Sequence, residues 1–293
     1  MTEPDHIPQT FLGLPESAAA YARARVVVLP IPFEATTSYG SGTRDGPAAI
    51  LAASRQVETY DADLGADLAD APIHTAAPLA PDFSSPSAMT DRIHAAAARY
   101  LADGKWVLGL GGEHAVTLGL VRAAADVHGP LSLLQVDAHL DLRDAFEGTP
   151  YSHASVMRRC LDEGHRTVHV GIRNVSQEEA ALVRDRGLPV FYGRDCAAGD
   201  AWIDQAVDAL ADPVYVTFDV DGLDPSVIRT TGTPEPGGLG WWQAMTLLAR
   251  VFARRRVVGA DVVELAAAGD RASDFAAARL AARLAALALH GSP

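Results

Sequence analysis

Three short segments concentrate side chains that can bind a metal ion or move a proton. They are Gly111-Gly112-Glu113-His114, Asp137-Ala138-His139-Leu140-Asp141 and Asp219-Val220-Asp221-Gly222-Leu223-Asp224-Pro225. In extended backbone alternate side chains share a side, so Asp137, His139 and Asp141 can converge, and Asp219 and Asp221 stand in the same relation. Such groups in otherwise apolar runs repel and desolvate one another unless a positive charge compensates them. A divalent cation supplies that charge. Four aspartates and two histidines exceed what one ion normally needs and match two ions about 3.5 Å apart, bridged by carboxylates. Carboxylate and imidazole without thiolate suit Mn2+, with Zn2+, Co2+, Ni2+ or Fe2+ as further choices and Ca2+ disfavoured by the histidines. A water bridging two such ions is acidic enough to act as hydroxide near neutral pH. Taken singly, an aspartate after a strand is a turn or cap residue, and Gly-Gly-Glu-His is a tight loop. The Asp-x-His-x-Asp run is different, because buried unpaired charge is expensive, and the second acidic pair strengthens the case.

These segments need a scaffold that gathers them. Short apolar runs at Arg25–Ile31, Trp106–Leu110, Leu131–Val136, Thr167–Gly171, Leu188–Tyr192, Pro213–Phe218 and Val257–Val263 read as strands buried on both faces. Between them, helical spacing covers Pro47–Glu58, Ser87–Ala102, His114–Val127, His153–Glu163, Gln177–Arg186, Ala201–Ala211, Trp241–Arg254 and Ser273–Leu289. Alternation of this kind predicts an α/β fold, a three-layer α/β/α arrangement with a mostly parallel central sheet. Each metal-type segment follows a strand, and open α/β sheets bind ligands outside the carboxyl ends of their strands. Ala76–Ser87 and Thr230–Gly240 read as loops, neither with the composition of a flexible linker, so residues 1–293 are expected to form one domain.

The chain has 293 residues, 48% of them hydrophobic, with 24 basic against 37 acidic residues and a net charge of −13. That balance disfavours nucleic acid as a partner, since phosphate backbones are bound by clustered positive charge, and it suits a cationic substrate. Cys160 and Cys196 have no partner at metal-ligand spacing, no apolar run approaches a membrane span, and Met1–His6 lacks the features of a signal peptide. A cytoplasmic protein without a membrane partner is the expectation.

Taken in order, Gly-Gly-Glu-His, Asp-Ala-His-Leu-Asp, Phe218-Asp219-Val220-Asp221-Gly222-Leu223-Asp224-Pro225 and Gly232-Thr233-Pro234-Glu235-Pro236-Gly237-Gly238 resemble the ureohydrolases, the arginase and agmatinase family. Ser38–Pro47 and Gly171-Ile172-Arg173 extend the likeness to about residues 25–285, and it is most like agmatinase. The resemblance implies that His114 and Asp141 hold one Mn2+, His139 and Asp221 a second, and that Asp137 and Asp219 bridge them. It further implies that His153 transfers protons, that Glu264 pairs with a substrate guanidinium, and that Thr233 lies near the substrate; Asp141, His153 and Glu264 form the catalytic set. Relatives often have Asp at the position of Glu113, and they continue with Asn-Pro where this chain has Leu265-Ala266-Ala267. A trimer or hexamer is implied as well.

The implied reaction is hydrolysis of a guanidino C–N bond to release urea, a metal-bridging hydroxide attacking the guanidinium carbon. Guanidinium is a poor electrophile, so the nucleophile has to be strong and well placed. A carboxylate such as Glu264 can orient it through paired hydrogen bonds, and His153 suits protonation of the leaving amine. The loop Leu142–Ser152 contains no Asn, and its Asp144 and Glu147 suit a cationic tail better than a carboxylate. Agmatine, giving putrescine and a place in polyamine biosynthesis, is the expected substrate. Arg143 keeps a guanidino carboxylic acid such as guanidinobutyrate or guanidinopropionate in play, with arginine behind it. A phosphoester or acetylated-amine hydrolase would have no use for Glu264, and a non-catalytic metal-binding interaction module would need neither His153 nor Glu264.

Overall fold

The computed structural model describes residues 9–291, so Met1–His6 lies outside the described residues. Eight strands form one sheet: β1 (Val26–Ile31), β2 (Ile73–Thr75), β3 (Trp106–Gly111), β4 (Ser132–Val136), β5 (Arg166–Ile172), β6 (Val190–Tyr192), β7 (Val214–Asp219) and β8 (Val257–Val263). Their order is β2-β1-β3-β8-β7-β4-β5-β6, and every pairing is parallel. The expected mostly parallel sheet is therefore present. The long helices are α1 (Gly46–Ser54), α2 (Pro86–Ala102), α3 (Thr117–His128), α4 (Val156–Asp162), α5 (Gln177–Arg186), α6 (Ala201–Ala209), α7 (Trp241–Arg254) and α8 (Arg271–His290).

Two apolar clusters show why the sheet is covered on both faces. Ile50 of α1, Ile203 of α6, Leu248 of α7 and Leu280 of α8 pack with Val26, Leu108, Val216 and Val262. Ile93 of α2, Val121 of α3 and Met157 of α4 pack with Val27, Val107, Leu133 and Tyr215 on the other face. Alternate residues of one strand thus feed opposite layers, which is why these strands read as continuous rather than alternating apolar runs. Among the described residues no helix is long and apolar enough to cross a membrane, and both cysteines are buried and free.

All seven sequence-predicted strands are present. β2 went unseen because three residues make no readable run. The helices expected to begin at His114 and His153 start instead as single 3-10 turns, His114–Val116 and His153–Ser155. At the first, the backbone N–H groups of Glu113 and His114 bond to Phe33 O and Glu264 Oε1 rather than to water, a demand that a tight first turn accommodates.

The four central strands, β3-β8-β7-β4, carry the chemically loaded segments. Register places Val136 opposite Phe218 and Val263 opposite Asp219. Asp137, Asp219 and Glu264 therefore leave adjacent strands almost level with one another. On the far side of β3, the Gly112 N–H bonds to Ile31 O at 2.9 Å and its carbonyl accepts the Glu264 N–H at 2.9 Å. A Cβ on Gly112 would lie 1.9 Å from Phe33 O, so only glycine lets the two chains approach this closely. Gly112→Ala is expected to destabilise the protein by about 3 kcal/mol in chemical denaturation, the upper end of overpacking costs. A change below about 0.5 kcal/mol, ordinary for surface sites, would refute the close-approach account.

Candidate metal centre

His114 and His139 face the same group of carboxylates. His114 Nδ1 lies 2.9 Å from Asp141 Oδ2, 3.1 Å from Asp137 Oδ2 and 3.3 Å from Asp219 Oδ2. His139 Nδ1 lies 3.1 Å from Asp221 Oδ2 and 3.5 Å from Asp137 Oδ1. Asp137 thus turns one oxygen toward each imidazole, the disposition a bridging ligand needs. Two sets can gather ligand atoms around a point, His114 with Asp137 and Asp219, and Asp137 with His139 and Asp221. Asp219 turns Oδ2 toward His114, while its Oδ1 faces the backbone of Asp221.

Local backbone donors aim these carboxylates. Asp137 Oδ1 accepts the His139 N–H, Asp219 Oδ1 accepts the Asp221 N–H, and Asp221 Oδ1 accepts the Ala138 N–H. Gln135 donates to Asp137 Oδ2 at 2.7 Å and is itself held by His169. Burial pushes His169 down to about 4, which keeps it neutral at pH 7. The other end of the His114 ring points into a buried chain, with Nε2 2.8 Å from Thr217 Oγ1, which donates to Asp261 Oδ1 at 2.7 Å. Tyr215 donates to the second oxygen of Asp261. With the Thr217 proton committed to Asp261, His114 donates from Nε2 to Thr217 and turns Nδ1 toward the carboxylates.

That arrangement fits bound cations. His114 Nδ1 is buried yet lacks a well-formed hydrogen bond. Burial, reinforced by the charge of Asp137, pushes Asp141 up to about 7 and raises Asp221; burial and Asp221 raise Asp219 further. Burial alone would raise Asp137 as well, but the bonds from His114 and His139 outweigh it. Acids that lean on their own histidines for positive charge are short of a cation. The donor set, carboxylate and imidazole without sulfur, suits Mn2+ and related divalent ions.

A cavity of about 180 Å³ opens onto this cluster, lined also by His153, Thr233 and Glu264. Glu264 follows β8 with φ +67°, and Oε1 accepts the His114 N–H at 2.6 Å. Its Oε2 lies beside Gly232, where a Cβ would come within 3.6 Å. Burial raises the Glu264 carboxyl well above its usual range, and no Lys or Arg among the described residues pairs with it. The unusual Leu265-Ala266-Ala267 stretch is docked: Leu265 bridges to Thr231, Ala266 N–H bonds to Thr230 O, and Ala267 N–H bonds to Gly42 O. His153 lies with Nδ1 3.2 Å from Thr36 Oγ1 and its ring edge-on to Phe146 at 5.7 Å. Burial first, then the positive charge drawn to His114 and His139, pushes His153 down to about 4.

Asp144 and Glu147 do not line the cavity. Asp144 is two-thirds exposed and bonds Arg159 at 2.9 Å, because the loop turns its side chain outward toward α4. Glu147 is exposed in the Phe146–Thr149 turn with φ +49°. Other residues take part that sequence reading passed over. Glu113 accepts bonds from the Ala35 and Thr36 N–H groups and from Thr36 Oγ1, tying the loop after β1 to the site. Glu179 forms a capping box with Ser176 and accepts the Leu142 N–H. Its signal was the Ser176-x-x-Glu179 spacing. Phe146 and Asn174 line the cavity with no such signal, and Arg143, which the sequence kept as a partner for a substrate carboxylate, lines it too.

The sequence model of the Arginase family matches residues 24–290. An N(1)-aminopropylagmatine ureohydrolase of Synechocystis sp. is 43% identical, covering 95% of this chain and 96% of the relative. An agmatinase of Pyrococcus horikoshii is 36% identical, covering 85% of each chain. Among solved structures, proclavaminate amidino hydrolase from Streptomyces clavuligerus superposes with a TM-score of 0.88 at 29% identity, covering 98% of both chains.

Metal titrations check the cluster. Asp137→Ala is expected to lose both ions by elemental analysis, whereas Asp141→Ala weakens one. Thr217→Val, which removes the hydroxyl between His114 and Asp261, should weaken one ion by about 10–100-fold in calorimetry. A Thr217→Val protein that titrates like the wild type would sink the relay.

Proposed function

The chain belongs to the arginase family, and from that premise we propose that it hydrolyses a guanidine bearing an amine tail, N(1)-aminopropylagmatine ahead of agmatine. The observation that carries this reading is Glu264, a buried carboxylate with one oxygen pinned to the His114 N–H and no cationic partner. It stands at the wall of the same cavity as the carboxylate–histidine cluster. A group buried in that state calls for a cation that carries N–H donors, and guanidinium supplies both charge and paired donors. The curated relatives reported above act on amine-tailed guanidines by name, and the 43% identical one moves the aminopropylated compound ahead of the agmatine favoured by the motifs.

In this reading His114, Asp137, Asp141 and Asp219 would hold one ion, and Asp137, His139, Asp219 and Asp221 would hold the other. Bound there, two divalent ions, Mn2+ by donor type, would supply an activated water and offset the clustered negative charge. The chain's own residues do the remainder. Glu264 binds the guanidinium and fixes the direction of its carbon, a gain from orientation rather than from added contact. Gly232 leaves room beside Glu264, and Thr233 forms the adjoining wall. His153, neutral at pH 7, spends Nδ1 on Thr36 and keeps Nε2 for a proton passing to the departing amine. Water adds to the guanidino carbon, the bond to the tail nitrogen breaks, and urea leaves with spermidine or, from agmatine, with putrescine.

Arg143 favours a second reading. It lines the cavity, stacks on Phe146 at 5.2 Å and has no ion pair among the described residues, so a guanidino carboxylic acid would find a partner there. A urea-release panel on Mn2+-loaded protein separates the readings. N(1)-Aminopropylagmatine should give the highest kcat/KM, then agmatine, above guanidinobutyrate, guanidinopropionate and arginine. No urea from any of them, with metal bound, would sink the enzymatic reading. Glu264→Gln should keep its metal and lose at least about a hundredfold in kcat, the scale of a lost transition-state contact; near-normal turnover would remove Glu264 from the reaction.

A further inference from the structure

We propose that Glu235, steadied by Asn174 at the rim of the cavity, receives the far ammonium group of a polyamine-tailed guanidine. The inference rests on the functional reading above and names the part of the site that selects tail length.

The acids around the cavity can be sorted by what already occupies their oxygens. Glu179 gives Oε1 to the Leu142 N–H and Oε2 to Ser176. Glu34 holds the Gly42 and Thr43 N–H groups, and Glu113 holds Ala35 and Thr36. Asp224 accepts from Ser226, Gly237 and Gly238. Asp144 is bonded to Arg159. Glu235 differs. Its Oε1 accepts the Asn174 side-chain N–H at 2.6 Å, and no hydrogen bond or ion pair among the described residues engages Oε2. Asn174 itself lines the cavity; Glu235 is not among the lining residues and stands just outside it, in the hydrogen bond to Asn174.

The backbone beneath Glu235 is unusually well fixed for a loop. Pro234 and Pro236 flank it, each with a locked φ. Arg173 grips its carbonyl through Nη2 at 2.6 Å and Nε at 3.2 Å, and the same Nη2 reaches Asp221 O at 2.6 Å. The carboxylate is therefore indexed to a proposed metal ligand. An ordered acid loses less conformational freedom on binding than a mobile one.

Distance sets which tail it can reach. Gly232 touches the Glu264 end of the cavity, and only Thr233 and Pro234 separate it from Glu235, which caps the Cα–Cα span at about 11 Å. Agmatine's tail, four methylenes, is the shorter of the two. The aminopropylated tail, longer by one amine and three methylenes, is of that order. A partly desolvated carboxylate facing an ammonium discriminates by charge as well as by length.

The test compares kcat/KM for N(1)-aminopropylagmatine and agmatine on metal-loaded enzyme. In Glu235→Gln the ratio between the two substrates should fall about tenfold, the loss appearing in KM for the longer substrate. Glu235→Asp should recover part of it, and Asn174→Ala should shift the ratio in the same direction by less. Metal content and thermal unfolding identify a misfolded variant, in which case Asn174→Ala decides. Equal losses on both substrates, an unchanged ratio, or a collapse caused by Glu147→Gln instead would overturn the proposal while leaving the function intact. A wild-type enzyme that hydrolyses neither amine-tailed compound overturns the functional reading, and this one with it.

Discussion

Four buried aspartates within reach of two imidazoles cannot all carry their charges in a low-dielectric interior without cations beside them. Much of the fold is arranged around that constraint. The four central strands end level with one another, so the acids arrive together. Backbone N–H groups of the same segments then orient three of them, and the Gln135–His169 pair supports Asp137 from below the site. The apolar layers on both faces keep water from doing the neutralising instead. Such clustering is costly to fold around, a cost that bound cations would offset.

A second consequence concerns the distance between the proposed reacting centre and the metal cluster. Glu264 donates its N–H to Gly112 O, and its carboxylate accepts the N–H of His114 two residues further on. The proposed guanidinium receptor and a proposed ligand are thus fastened to each other by the same pair of strand ends. Neither can move by itself. The loop after β1 joins from the other side, where Thr36 accepts the His153 N–H while Glu113 holds Thr36. The proposed proton carrier, the proposed substrate acid and the candidate ligands hang from a single stretch, Gly112–His114.

How far this was legible in the sequence depended on whether a residue acts through a short-range pattern. Buried strands declare themselves through runs of Val, Leu and Ile, and the Asp-x-His-x-Asp alternation declares a shared side. The order of motifs sufficed to place the chain in its family. Lost to view were relations between residues distant in sequence. Thr217 and Asp261 look like ordinary strand positions until β7 and β8 pair and set them behind His114. Asp144 shows the reverse relation: charge in a loop next to the site suggested a substrate contact, and the structure bonds it to Arg159 of α4 outside the cavity. Asn174 and Glu235 lie 61 residues apart and meet only because Arg173 draws the later loop against the end of β5.

Asp141 and Glu264 both sit at positive φ, +53° and +67°, in a region that disfavours side chains with a Cβ at a cost of about 1–3 kcal/mol each. Folding alone would favour glycine at Asp141, whereas at Glu264 the relief is offset by the buried His114 N–H that its carboxylate satisfies. Natural drift or laboratory selection for heat resistance would therefore find an easy improvement at Asp141, one that deletes a carboxylate. A library of this protein sorted only on folding should accumulate glycine there, and one sorted on turnover should purge it. The divergence between the two populations would locate where the chain trades robustness for chemistry, without a ligand ever being seen.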